Sequence, residues 1–83
     1  MFKNNFNEIS NTLWRAKGDN FTISLEYFEN EQEYLIDVWC PYVNFNEIVT
    51  AVSPKMAQLK AVNVAKNRID EIIKNLNNIR NKI

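Results

Sequence analysis

One cysteine, no histidine and a handful of carboxylates define the chemical repertoire of this 83-residue chain. Without histidine there is no imidazole to act as acid or base near neutral pH, no Ser-His or Cys-His pair, and no ordinary zinc site. Cys40 ends an alternating apolar segment, where the usual role is that of a small buried hydrophobe, and a nucleophile there would lack a base. Gly18 is the sole glycine, so no glycine-rich loop can cradle a phosphate. The carboxylates Glu26, Glu29, Glu31, Glu33 and Asp37 gather on or beside one hairpin rather than in a cleft. That is poor ground for a general acid of raised pKa. The expectation is a protein that is no enzyme and takes no metal or cofactor.

Binding is the chemistry that remains. The 10 basic and 10 acidic residues cancel overall but are segregated along the chain. Residues 1–50 hold three Lys/Arg and eight Asp/Glu, whereas residues 51–83 hold seven and two. Such polarity steers association with charged partners. Glu26, Glu29, Glu31 and Glu33, with Phe28, Leu35 and Trp39 on the same stretch, are the expected partner-binding residues: aromatic anchors inside an acidic rim. Lys60, Lys66, Arg68 and Lys74 are the alternative, as phosphate contacts of a nucleic-acid-binding helix.

The elements that would position these residues fall into three regions of one expected domain, 1–83. Phe2, Phe6 and Ile9 have the spacing of one helical face, so residues 2–11, within an N-terminal segment 1–11, read as a short N-terminal helix. Residues 12–40 read as a three-stranded antiparallel meander. Phe21, Ile23, Leu25 and Tyr27 alternate with polar residues, as do Tyr34, Ile36, Val38 and Cys40. A four-residue loop at 29–32 would set Tyr27 opposite Tyr34, Leu25 opposite Ile36 and Ile23 opposite Val38, all on one face. Thr22, Ser24, Glu26 and Phe28 would then share the other face with Glu33, Leu35, Asp37 and Trp39. Residues 44–83 read as helical. Asn44 and Glu47 have capping-box spacing, and Ser53-Pro54 marks a helix start. The pentapeptide Asn-Phe-Asn-Glu-Ile occurs at both 5–9 and 44–48, and both copies read as helix starts.

The last helix carries a heptad seam: Val62, Ala65, Ile69, Ile72, Leu76, Ile79 and Ile83 are spaced alternately by three and four. About 30 helical residues would reach ~45 Å, whereas a strand of eight residues covers only ~27 Å. The apolar stripe must therefore outrun the sheet. Ile69, Ile72, Leu76 and Ile79 are the expected seam for self-association, giving a homodimer through the C-terminal helix, or for a partner. The seam is flanked by Lys66, Ile73 and Arg80 on one side and by Arg68, Asn75 and Lys82 on the other, so a parallel homodimer would oppose like charges, and an antiparallel pair or a partner with acidic flanks is expected instead.

The order helix, three strands, long helix (αβββα, class α+β) resembles the double-stranded-RNA-binding domain in topology over most of the chain. Ser53-Pro54-Lys55-Met56-Ala57 retains one Lys and the Ala of the basic motif that opens the last helix in that family. The family's His-bearing loop has no counterpart. Topology, size and the acidic hairpin also look like small phage-encoded anti-defence inhibitors, including some anti-CRISPR proteins. The 14 Asn residues agree with an AT-rich source such as a phage or mobile element. A lone cysteine, no signal-peptide pattern and no apolar run of ~20 residues point to the cytoplasm and away from the membrane. The leading expectation is a non-catalytic protein-binding module, an inhibitor or regulator that occupies a surface of a protein target. Nucleic-acid binding and structural oligomerisation follow as alternatives.

Overall fold

A computed structural model describes residues 6–83. Five strands are followed by one helix: β1 (Asn7–Ser10), β2 (Leu13–Gly18), β3 (Phe21–Phe28), β4 (Glu33–Trp39), β5 (Asn44–Val49) and α1 (Pro54–Lys82). The strands form one antiparallel meander in sequence order. The class is α+β, but the expected αβββα arrangement is not observed. Residues 7–10, expected in an N-terminal helix, are an edge strand, and residues 44–49, expected to open the helical region, are the other edge. Positions 2–5 of the expected helix lie outside the described residues. With five strands and a single helix among those residues, the topological basis for the likeness to the double-stranded-RNA-binding domain, and to the inhibitors sharing that topology, is removed.

The reason lies in an ambiguous period. Phe45 and Val49 are four apart, which suits both a helical turn and alternate positions of a strand. In β5, Phe45, Glu47 and Val49 face the helix side half-buried, while Asn44, Asn46 and Ile48 are exposed. Asn44 and Glu47 therefore stand on opposite faces and cap nothing. Asn is a weak helix former, Phe, Ile and Val favour strands, and pairing with β4 satisfies backbone groups that its edge would otherwise leave open. The repeated pentapeptide thus contributes to both edges of the sheet.

Turn chemistry closes each hairpin. Asp19 and Asn20 join β2 to β3, with Asn20 at φ 66°, a conformation Asn tolerates better than most residues. Gly18 pairs with Phe21 across this turn, and a Cβ on Gly18 would collide with the Phe21 ring. The aromatic ring occupies the space that the glycine leaves. Between β3 and β4 the expected register is observed: Tyr27 pairs with Tyr34, Leu25 with Ile36 and Ile23 with Val38. At the turn after β4, the Cys40 N–H and Sγ each donate to the Val43 carbonyl at 3.1 Å, with Pro41 between them.

Helix α1 begins as expected. Ser53 is extended, its hydroxyl accepts from the Met56 N–H at 3.2 Å, and Pro54 follows. Ala57, Ala61 and Ala65 lie against the sheet, together with Val62, and all four are buried. Small side chains let the helix axis approach Leu25 and Ile36, which are wholly enclosed. Contact with the sheet ends early: from residue 73 to the C-terminus every residue is exposed. The 29 helical residues span ~44 Å, close to the molecule's 48 Å long axis. No helix among the described residues is long and apolar enough to cross a membrane.

The close helix–sheet approach makes a size test. Ala61→Leu would force a larger side chain into fully enclosed space and should lower unfolding free energy by ~1–3 kcal/mol in urea denaturation. Asn63→Leu, on the exposed side of the same turn, should change it by less than about 0.5 kcal/mol.

Candidate protein-contact surface

A sheet has two faces, and α1 covers one. The other is built from alternate residues whose order is set by the register. Lys17, Thr22, Trp39 and Asn44 form one cross-strand row; Arg15, Ser24, Asp37 and Asn46 form the next; Leu13, Glu26, Leu35 and Ile48 form the third. Phe28 and Glu33 pair beyond them. No described element lies over these rows. Trp39 and Ile48 remain 52% and 57% exposed, and Leu13, Phe28 and Leu35 are half-buried. The face is thus an apolar strip with carboxylates at Glu26, Glu33 and Asp37, while Arg15 and Lys17 stand on its β2 side. The Arg15 Nε–H donates to Ser24 Oγ at 3.4 Å, which ties that guanidinium to the sheet.

Of the expected partner-binding residues, Glu26, Phe28, Glu33, Leu35 and Trp39 share this face. Glu29 and Glu31 stand apart in the β3–β4 loop. Sequence reasoning missed Leu13 and Ile48. The signal for Ile48 was its alternation with Phe45, Glu47 and Val49 in the second copy of the pentapeptide.

The expected helix seam divides in two. Val62 and Ala65 are buried under the sheet-covering half, and Ile69 and Ile72 lie at the point where the helix leaves the sheet. Leu76 and Ile79 project into water at 58% and 56% exposure, with Ile73 and Ile83 beside them. At the departure point an apolar cavity of about 170 Å³ opens between Phe21, Cys40, Val62 and Ile69. Arg80 and Lys82 occupy the last turn, where positive charge complements the helix dipole.

The four basic residues considered for nucleic acid do not share a face. At ~100° per residue, Lys66 and Arg68 stand ~200° apart around the axis. Lys60 Nζ donates to the Thr50 carbonyl at 2.5 Å, and the Arg68 guanidinium lies 5.3 Å from the centre of the Phe45 ring. Two of the four therefore hold the helix to the β5 side of the molecule.

Between the β3–β4 loop and the start of α1 lies a cleft of about 670 Å³, lined by Tyr27, Tyr34, Glu31, Met56 and Lys60 among others. Its aromatic wall continues inward. Tyr27 and Tyr34 ring centres are 4.8 Å apart, and Trp14 is 6.3 Å from Tyr34. Burial, and then the neighbouring Tyr27, push the Tyr34 hydroxyl above its ordinary pKa. No three His, Cys, Asp or Glu side chains among the described residues are placed to hold a metal ion. Compared with known proteins, the chain matches no family model, no curated protein and no solved structure.

The raised Tyr34 pKa fixes the sign of an alkaline effect. The folded state keeps its phenol proton to higher pH than the unfolded chain does. Its contribution is fully present below the unfolded tyrosine pKa of ~10 and is lost as pH rises through the folded value. Stability measured by denaturant titration should fall above pH ~10, and Tyr34→Phe should make that fall shallower. An identical slope in the variant would show that other groups cause it.

Proposed function

We propose that this chain is a non-catalytic protein-binding module whose contact surface is the uncovered face of its sheet. The observation that carries the reading is the cross-strand placement of Trp39, Leu35 and Ile48, exposed or half-buried on a face that no described element covers. Two-layer packing buries one face of a sheet, and covering a second apolar face takes a further layer. Here the outer surface combines a large aromatic with flanking carboxylates, the composition of an anchor and rim. Glu26, Glu33 and Asp37 favour a partner that is basic as well as apolar, such as an amphipathic helix carrying Lys or Arg. Occupying such a partner's apolar face would block its other contacts, which is how a protein of this size would act as an inhibitor or regulator. Nucleic-acid binding ranks second, because Lys60 and Arg68 are engaged within the molecule.

The reading is tested with a synthetic amphipathic helix of Leu and Lys. Titrated against the protein, it should shift tryptophan emission, and the affinity should weaken with added salt. Trp39→Ala and Leu35→Asp should each reduce affinity at least tenfold, and Glu33→Lys should mainly slow association. Affinities indifferent to all three substitutions would remove the face from the interaction. A 20-base-pair duplex bound more tightly than the peptide would put the basic helix first.

A further inference from the structure

Two apolar surfaces on this molecule are covered by no described element, and their lengths match each other. The first is the outer sheet face. The second is the overhang of α1, from Ile69 to Ile83.

The direction of the overhang follows from what each end of the helix touches. Met56 and Lys60 share a cleft with Tyr27 and Tyr34, at one end of the β3–β4 pair. Ile69 shares a cavity with Phe21 and Cys40, at the other end. The helix therefore runs along β4 in the direction of that strand. It leaves the sheet past the end that carries Trp39 and the β4–β5 turn.

We infer that a second copy of this chain fills the space beneath the overhang, in a symmetric dimer in which each copy lays its overhang on the outer sheet face of the other. This rests on the reading of that face as a protein-contact surface and names its partner. The symmetry closes. The apolar stripe of the overhang points the same way as the buried stripe of α1, toward the plane of its own sheet. A second sheet placed end to end in that plane and turned over presents its outer face to this stripe. Its own helix then lies on the opposite side and returns its overhang under the first sheet. Each residue of the interface is used once in each direction, as a two-fold contact requires.

Length and charge agree with this arrangement. Residues 69–82 rise ~21 Å along the axis. The outer face from Trp39 to Glu33 runs ~20 Å along β4. The overhang enters from the Trp39 end and runs along β4, so its root lies over Trp39 and its tip nearest Glu26 and Glu33. The tip carries Arg80 and Lys82. The tip of the overhang and the far end of the face are therefore opposite in charge in the one orientation that the geometry allows. Pairing the seams of two overhangs directly would instead oppose basic flanks in the antiparallel orientation. An antiparallel pair sets Lys66 against Arg80 and Arg68 against Lys82. Tyr42, 93% exposed on the β4–β5 turn, stands where the two sheets would meet.

The test is light scattering after size exclusion on the full chain, across a range of protein concentrations. The expected species has twice the 9.8 kDa chain mass. Glu26→Lys with Glu33→Lys should raise the dimer dissociation constant at least tenfold, and so should Arg80→Glu with Lys82→Glu. All four changes in one chain should bring it back toward the wild-type value, an outcome that a folding defect cannot produce. A dimer unaffected by the Glu26 and Glu33 reversals would overturn the exchange and place the contact elsewhere. A wild-type monomer at every concentration, still binding the Leu/Lys helix, would overturn the exchange and leave the binding face standing. A monomer that binds no such helix would overturn both.

Discussion

The structure depends on a mismatch between one helix and one sheet. A single helix of 29 residues is the only described element available to cover five strands. It covers one face of them and runs past their end. Everything informative about the surface follows from that geometry. The covered face is closed by alanines at close range, and the uncovered face keeps Leu35, Trp39 and Ile48 near water. The far half of the helix keeps an apolar stripe with no other described part of the chain beneath it. For a chain of this size the core is thin, so an unpaired stripe and an unpaired face are costly together unless they have partners.

Electrostatics sorts the two surfaces rather than stabilising the fold. The acidic residues lie chiefly on the β3–β4 hairpin and the basic residues on the helix, and the sum is zero. Within the molecule the cations do local work: Lys60 closes onto the Thr50 carbonyl and Arg68 onto the Phe45 ring. The charges left for intermolecular contact include the tip of the helix and the carboxylates of the outer face. These are opposite in sign and similar in extent, which favours one mode of association over many.

The middle of the fold was legible in the sequence and its edges were not. Tyr27–Tyr34, Leu25–Ile36 and Ile23–Val38 were readable as pairs because strict alternation leaves only one register that buries both strands on the same side. The start of α1 was readable because Ser53-Pro54 has a local mechanism. The edge strand β5 was misread because Phe45 and Val49 satisfy two periods at once, and the choice between them is made by the open backbone of β4, which no local pattern encodes. The same failure hid part of the contact surface. Ile48 belongs to the outer face only once residues 44–49 are a strand, and Leu13 joins it only through its pairing with Glu26. Trp39, Leu35 and Phe28 were visible because the alternation that places Ile36 and Val38 inside places them outside.

Amide hydrogen exchange of residues 73–82, followed at low and high protein concentration, tests the central claim most directly. These amides belong to a helix that no other part of the described chain touches, so in an isolated molecule they should open easily. If the overhang is held on the sheet of a second copy, their protection rises with concentration, together with that of the β2–β4 strands beneath them. Fast exchange that is the same at every concentration, while α1 residues 57–65 stay protected, would contradict it.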